Sequence, residues 1–327
     1  MQRIPTKGMS REEWLAERRK SLGGSDMGAV LGLNKWRSPF AVWAEKTGRL
    51  PEREDNEAMR QGRDLEDYVV SRFEEKSGKR VQRMNYLLRN DSECPHLHAN
   101  IDRRIVGESA GLECKTASAL ATKSYQGGEF PESYYVQCVS YLAVTGWERW
   151  YLAALVLNKA FHVYQITTVE NDECPEWCES SVYVSPDELT ALTRCAADFW
   201  ETYIEADTAP PPDGTESTTE TLETVYADSG GEIELFGRER LLNRYAELTE
   251  RQRDTARDIE EIKQQLMADM GEAETGRCGR YTVTWAAQSR RMFDAKAFQK
   301  KHPEADLAQF YKTTHFRRFS IKEEQNA

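Results

Sequence analysis

Apolar positions along the chain recur in blocks with two different periods. Met59, Leu65, Val69 and Phe73 return at helical spacing and Gly78 follows as a stop, which predicts an amphipathic helix over 58–76. A charged helix is expected over 11–20. The chain then changes character at Ser21-Leu22-Gly23-Gly24-Ser25-Asp26, where paired glycines make a turn, Ser-Asp an N-cap, and 27–31 the start of a helix. Ser38-Pro39 opens another helix that ends near Gly48, residues 51–57 read as a polar loop, and Pro131-Glu132 opens one closed by Gly146. Strand character fills 81–89, 97–106 and 111–116. The stretches 150–157 and 161–168 are apolar and β-branched around Asn158-Lys159 and read as a hairpin. A last helix is expected over 187–206. This order predicts an α/β core.

The pattern then breaks. Residues 207–231 are rich in Pro, Thr, Ser, Gly and acid, which is linker composition. That sets a first domain over 1–206 and a mainly helical C-terminal extension over 232–327. In the extension Leu241, Tyr245, Leu248, Ile259, Ile262 and Leu266 keep a 4-3 spacing interrupted by Gln252 and Thr255, as in a long helix or coiled-coil-like arm. Strand character follows at 281–285, and the end is basic and aromatic, His315-Phe316-Arg317-Arg318-Phe319. This arm and tail are candidates for partner, DNA or oligomer contacts. No internal repeat is visible.

Charge narrows the choice of partner. The 327 residues carry a net charge of -11, yet from Arg277 onward 11 basic residues stand against 5 acidic ones. Bulk charge repels nucleic acid, so any DNA binding needs a local basic channel or metal ions. No apolar run reaches the ~20 residues of a membrane span, and the first 20 residues hold no signal-type apolar stretch, so a cytoplasmic protein with no membrane partner is expected. The seven cysteines are scattered and odd in number, which reads as reduced thiols. Cys174, Cys178 and Cys195 lack the spacing of an iron–sulfur ligand set, so a cluster is not expected.

The chemistry concentrates in His98-Ala99-Asn100-Ile101-Asp102 and, ten residues on, Glu113-Cys114-Lys115. Strand alternation puts His98, Asn100 and Asp102 on one face, and Glu113 and Lys115 on one face of the next strand. A hairpin of the two brings Asp102, Glu113 and Lys115 together. Two carboxylates suit Mg²⁺, with Mn²⁺ as a substitute, and the lysine can hold an attacking water and stabilise charge on phosphate. Cross-strand Glu–Lys pairs are also ordinary on sheet surfaces. Here, however, the charges sit in an apolar strand, where metal coordination compensates for burial. Glu66, on the 58–76 helix, is a possible third carboxylate. Gln137 and Tyr141 share one face of the 132–145 helix at i, i+4. His98 reads as a hydrogen-bonded structural residue.

These residues resemble a family. Trp14 and Arg18 with Leu22-Gly23-Gly24-Ser25-Asp26, then Gly62 with Leu65-Glu66, then Asn100-Ile101-Asp102 with Glu113-Cys114-Lys115, then Gln137 with Tyr141 look like the lambda exonuclease/YqaJ-type phage recombination nucleases of the PD-(D/E)XK superfamily. The likeness covers about residues 10–205. Ile101 stands where the family often has proline. The resemblance implies a restriction-endonuclease-like core, a central mixed β-sheet flanked by helices. It also implies metal ligation by Asp102, Glu113 and the Cys114 carbonyl, with Glu66 on a second metal or its waters, and Lys115 on the nucleophilic water. Arg18, Ser25, Asn100 and Gln137 would hold or border a 5′-terminal phosphate, with Tyr141 beside them. The implied reaction is metal-dependent 5′→3′ digestion of duplex DNA ends, leaving 3′ single strands for recombination by annealing. Implied partners are a single-strand annealing protein and further copies of the chain, as a trimeric ring, in a bacterial cell carrying a phage or mobile element. The same core would also serve a structure-specific endonuclease or a non-enzymatic DNA-binding scaffold. Sensitivity to Arg18→Ala separates the first of these from an end-processing enzyme, and Mg²⁺-dependent digestion lost with Lys115→Ala excludes the second.

Overall fold

The computed structural model describes residues 1–51, 56–228, 230–302, 305, 307, 310 and 319–321; the basic-aromatic stretch 315–318 lies outside them. The chain divides into two compact units, Met1–Ala227 and a second beginning at Asp228.

The first unit opens with β1 (Gln2–Pro5), α1 (Arg11–Arg19), β2 (Leu22–Gly23) and α2 (Gly24–Val30). Then come α3 (Pro39–Lys46), α4 (Glu57–Ser77), β3 (Val81–Arg83), β4 (Tyr86–Arg89) and β5 (Leu97–Asn100). β6 (Arg103–Ile105), β7 (Ala110–Ala117), a 3₁₀ segment Ala119–Tyr125 and α5 (Glu132–Thr145) lead to β8 (Arg149–Val156), β9 (Ala160–Thr167) and β10 (Ser180–Tyr183). α6 (Pro186–Phe199) runs on as a π-helical turn, Trp200–Glu205, and α7 (Glu216–Val225) follows. The capping logic holds: Ser10, Ser38, Asn56 and Ser185 each accept a hydrogen bond from a backbone N–H three residues on. Gly78 and Gly146 end their helices in the left-handed conformation. At α2 the cap differs from expectation: Gly23 is the N-cap, and Asp26 in the first turn reaches back to the Gly23 N–H at 2.7 Å.

The expected mixed sheet flanked by helices is present in the first unit, accompanied by a second mixed sheet. One has the order β10-β9-β8-β7-β6-β3, the other β1-β4-β5-β2. β3 pairs with β6 in the first, and β4 with β5 in the second, both antiparallel. The segments 81–89 and 97–106 thus form one antiparallel ribbon that bends from sheet to sheet at residues 84–85 and 101–102. Asp102 sits on that bend. β7 and β8 are parallel, joined by α5 as crossover, and β8–β9 is the expected hairpin, with Asn158 at φ +58° in its turn.

Alternation along β7 and β8 divides the core. Leu112, Tyr151 and Ala153 face α4 and pack with Val69, Phe73 and Ile105. Trp150, Leu152 and Ala154 face α5 and pack with Val139 and Leu142. Gly111 lets the Trp150 ring lie against the β7 backbone, where an added Cβ would come within 2.4 Å of it. The expected linker carries α7, whose Thr218 and Thr221 are buried and whose Leu222 and Val225 pack on the core. Ser217 Oγ accepts from the Ser38 N–H at 3.0 Å. The first unit therefore extends beyond residue 206; composition concealed a helix with Thr215 as its N-cap.

The second unit contains α8 (Glu239–Met270), a hairpin of β11 (Thr275–Cys278) and β12 (Tyr281–Thr284), and α9 (Ala295–Lys301). Among the described residues no helix is long and apolar enough to cross a membrane.

Candidate active site

β7 carries the centre of the site because alternation turns Glu113 and Lys115 toward α5. Lys115 Nζ lies 2.6 Å from Glu113 Oε1 and donates to Gln137 Oε1 at 2.9 Å. The Gln137 amide N–H groups donate to Glu113 Oε1 and to the Tyr141 hydroxyl, both at 2.7 Å. Lys115 also lies over the Tyr134 ring, 4.7 Å from its centroid. Burial works to lower the Lys115 pKa, but Glu113 and Tyr134 outweigh it and hold the ammonium above its ordinary value.

Asp102 reaches the same place from the bend. The ribbon leaves β7 after the Arg103–Leu112 pair, so the next β7 amide lacks a strand partner, and Asp102 Oδ2 accepts the Cys114 N–H at 2.9 Å. The break in the strand is what frees the carboxylate for this position. Burial, and then the neighbouring Glu113 charge, push the Asp102 pKa well above its usual value.

A cavity of about 130 Å³ joins these carboxylates to the amino-terminal motif. It is lined by Asp102, Glu113, Gln137 and Tyr141 together with Arg18, Ser25, Asn100, His98, Gly23 and Gly24. The glycines are there for close approach. A Cβ on Gly23 would meet His98 Nε2 at 2.9 Å, and one on Gly24 would meet Tyr141 Cε1 at 2.8 Å and the Gln137 carbonyl at 2.9 Å. Arg18 stacks over Trp14 at 4.6 Å and donates to Ser25 Oγ at 3.4 Å.

Behind Arg18 lies a buried ion network that sequence reasoning missed. Lys46 Nζ donates to the Arg18 carbonyl at 3.0 Å and pairs with Asp26 at 2.6 Å; Arg37 bridges Asp26 and Glu45. Burial would raise the Asp26 pKa, but Lys46, Arg37 and Arg18 hold it well below the usual carboxylate range. Nothing in the spacing of Asp26, Arg37 and Lys46 marks them as partners, so only the fold reveals the cluster. His98 combines its expected structural role with a place on the cavity wall. Its Nδ1 is 2.9 Å from Ser21 Oγ, while its Nε2 is buried without a partner.

Glu66 does not line the cavity, but it stands near enough to Asp102 for its charge to add to the rise in the Asp102 pKa. α4 covers the opposite face of the sheet, where Glu66 accepts from Arg103 and, at 3.3 Å, from Arg83, while Arg103 also holds Asp67 at 2.5 Å. Among the described residues no three His, Cys, Asp or Glu side chains form a metal-holding group. Two carboxylates nevertheless fit a hard divalent cation, which keeps several waters. Glu113 Oε2 is buried with no hydrogen-bond partner, and a cation beside it would satisfy that oxygen and relieve the repulsion that raises Asp102. The donors present are the Asp102 and Glu113 carboxylates and the Cys114 carbonyl.

Fold and site together define a mixed α/β protein whose carboxylate–lysine centre shares a cavity with Arg18, Ser25 and Asn100. Residues 13–148 match the model of the YqaJ-like viral recombinase domain. Over 322 residues the chain is 36% identical to the uncharacterised protein YqaJ of Bacillus subtilis, covering 96% of this chain and 95% of that one. The chain belongs to the YqaJ-like viral recombinase family, the YqaJ type of recombination nuclease that its motifs resemble. Among solved structures it is distantly similar to the alkaline exonuclease LHK-Exo of Laribacter hongkongensis, seen in complex with dAMP, at 17% identity and a TM-score of 0.46 over 60% of this chain and 93% of that one. A phage-related exonuclease from Haemophilus somnus matches at 8% identity and a TM-score of 0.38, over 57% and 96% of the two chains.

Proposed function

We propose that the protein is a divalent-metal-dependent exonuclease that digests linear duplex DNA from 5′-phosphorylated ends and leaves 3′ single strands. One observation carries this reading. A single cavity is lined by Asp102 and Glu113 together with Arg18, Ser25 and Asn100. A guanidinium and a hydroxyl recognise phosphate, so a strand end anchored there is presented to the carboxylates at a fixed register. Asp102, Glu113 and the Cys114 carbonyl would hold a divalent cation, which would supply Lewis-acid stabilisation of the phosphate. Lys115, fixed by Glu113 and Gln137, orients the attacking water and offsets charge developing on phosphate. Gln137 ties Glu113 to Tyr141, holding the carboxylate against rotation. Glu66 serves by buttressing Arg103 next to Asp102.

The test is digestion of linear duplex labelled at either end, with a 5′ phosphate or a 5′ hydroxyl, in Mg²⁺, Mn²⁺ or chelator. Nucleotides should leave the 5′ ends, faster from phosphorylated ones, and only with metal. Asp102→Asn and Lys115→Ala should each slow digestion by about 10²–10³-fold, the usual loss for a group stabilising transition-state charge. Arg18→Ala should weaken the preference for phosphorylated ends. Release from 3′ ends, or cleavage of closed circles, would overturn the proposal.

A further inference from the structure

α8 is 32 residues long, on the order of 48 Å, and none of its residues is buried. Helices in folded proteins draw most of their stability from packing an apolar face, yet the α8 seam of Leu241, Tyr245, Leu248, Ile259, Ile262 and Leu266 remains 40–64% exposed. The order of the seam says what can cover it. Including Gln252 and Thr255, its positions are 241, 245, 248, 252, 255, 259, 262 and 266, and this series reads the same in both directions about a point between residues 253 and 254. A second copy of the helix, turned end for end about that point, sets Leu241 opposite Leu266, Tyr245 opposite Ile262, Leu248 opposite Ile259, and Gln252 opposite Thr255. Every layer then pairs an a position with a d position, and apolar meets apolar except at the centre. There two polar pairs meet, the kind of layer that fixes register in coiled coils at a cost in stability.

Charge favours the same arrangement. Residues 239–257 hold five Arg against four acids, whereas 258–270 hold one Lys against four acids. Antiparallel pairing lays the basic half on the acidic half; parallel pairing would lay acid on acid. On the flank of the seam Arg251 comes opposite Asp258 of the second copy, twice by symmetry. Neither residue has an ion-pair partner in its own chain among the described residues, although Arg244, Arg253, Arg257 and Lys263 all pair within the helix. In a parallel pair Arg251 would face Ala256. The helix dipoles are also opposed in the antiparallel arrangement.

We infer that α8 pairs antiparallel with α8 of a second copy of this chain, centred between residues 253 and 254. No residue of α8 lines the cavity, and the inference is independent of the catalytic reading.

Two experiments on the full-length protein test it. Leu248→Cys and Ile259→Cys proteins, mixed and oxidised, should yield a covalent dimer whose linked peptides contain positions 248 and 259. Each protein alone should give no link at its introduced cysteine. Self-linking at 248 would show a parallel pair, and no 248–259 link would show no such contact; either overturns the inference. Arg251→Asp and Asp258→Arg should each weaken self-association about tenfold in sedimentation equilibrium, and the double exchange should restore it. Singles with unchanged association, or a double variant that is not restored, would also overturn it. Helix content by circular dichroism separates lost pairing from lost folding.

Discussion

His98 is fully buried among Lys46, Arg18 and Arg89, with Asp26 as the nearby carboxylate that acts on it most. Burial, then the cations, hold its pKa well below the ordinary 6.5. In the unfolded chain the same ring takes up a proton near pH 6.5. The sign follows: stability from this residue is complete above that pH and falls below it by up to about 1.4 kcal/mol per pH unit until the folded pKa is reached. The destabilisation caused by His98→Gln, measured by urea unfolding at pH 7.5 and 5.0, should therefore shrink at the lower pH. A difference that stays constant would mean that the folded site accepts a charged ring. The carboxylates and the lysine of the site could be picked out from sequence because alternation and spacing are local properties. Glu66 could not be placed, because which face of the sheet α4 covers is decided by packing with Val69 and Phe73. Asp26, Arg37 and Lys46 were equally opaque, since nothing in a helix-end lysine announces a partner twenty residues away.

Among elements, β7 and β8 depend on a position with no side chain. A Cβ on Gly111 would sit 2.4 Å from the Trp150 ring, and that ring in turn contacts Tyr141 with centroids 4.9 Å apart. Gly111→Ala should cost about 1–3 kcal/mol, the range for overpacking a dense core, seen as a lower urea midpoint. Because the displaced Trp150 pushes on Tyr141 and so on Gln137, digestion should slow as well. Loss of stability with full activity would show that the ring moves elsewhere. The helices were readable where a capping side chain and a terminal glycine bracket a long period, as in α4 and α5. The bends at 84–85 and 101–102 were not, since no Gly or Pro marks them and only pairing shows that the strand changes sheets. β2, β10 and β1 have two to four residues, too few to impose a period, and owe their conformation to the strands beside them.

For the whole molecule, the boundary of the first unit matters to the site because of a chain of contacts. α7 packs on α3; α3 supplies Lys46; Lys46 holds the Arg18 carbonyl and Asp26. Composition marked 207–231 as a linker because Thr, Glu and Pro dominate it, yet Thr218, Thr221, Leu222 and Val225 recur on one helical face and find α3 and the core waiting. A chain ending at residue 206 loses that cover together with the Arg49–Asp207 pair, and leaves Ser38 without Ser217. It should be less stable than a chain ending at residue 227 by about 2–4 kcal/mol, the transfer free energy of two partly buried aliphatic side chains and their neighbours. The comparison is a urea denaturation of the two truncated proteins side by side, with the duplex assay as second readout. The longer one should keep its preference for 5′-phosphorylated ends, while the shorter should lose it before it loses hydrolysis, because α3 steadies Arg18 and not Asp102. Equal midpoints would return 207–227 to the status of a tether. Parallel loss of preference and hydrolysis would mean that Arg18 and Asp102 are held by the same support.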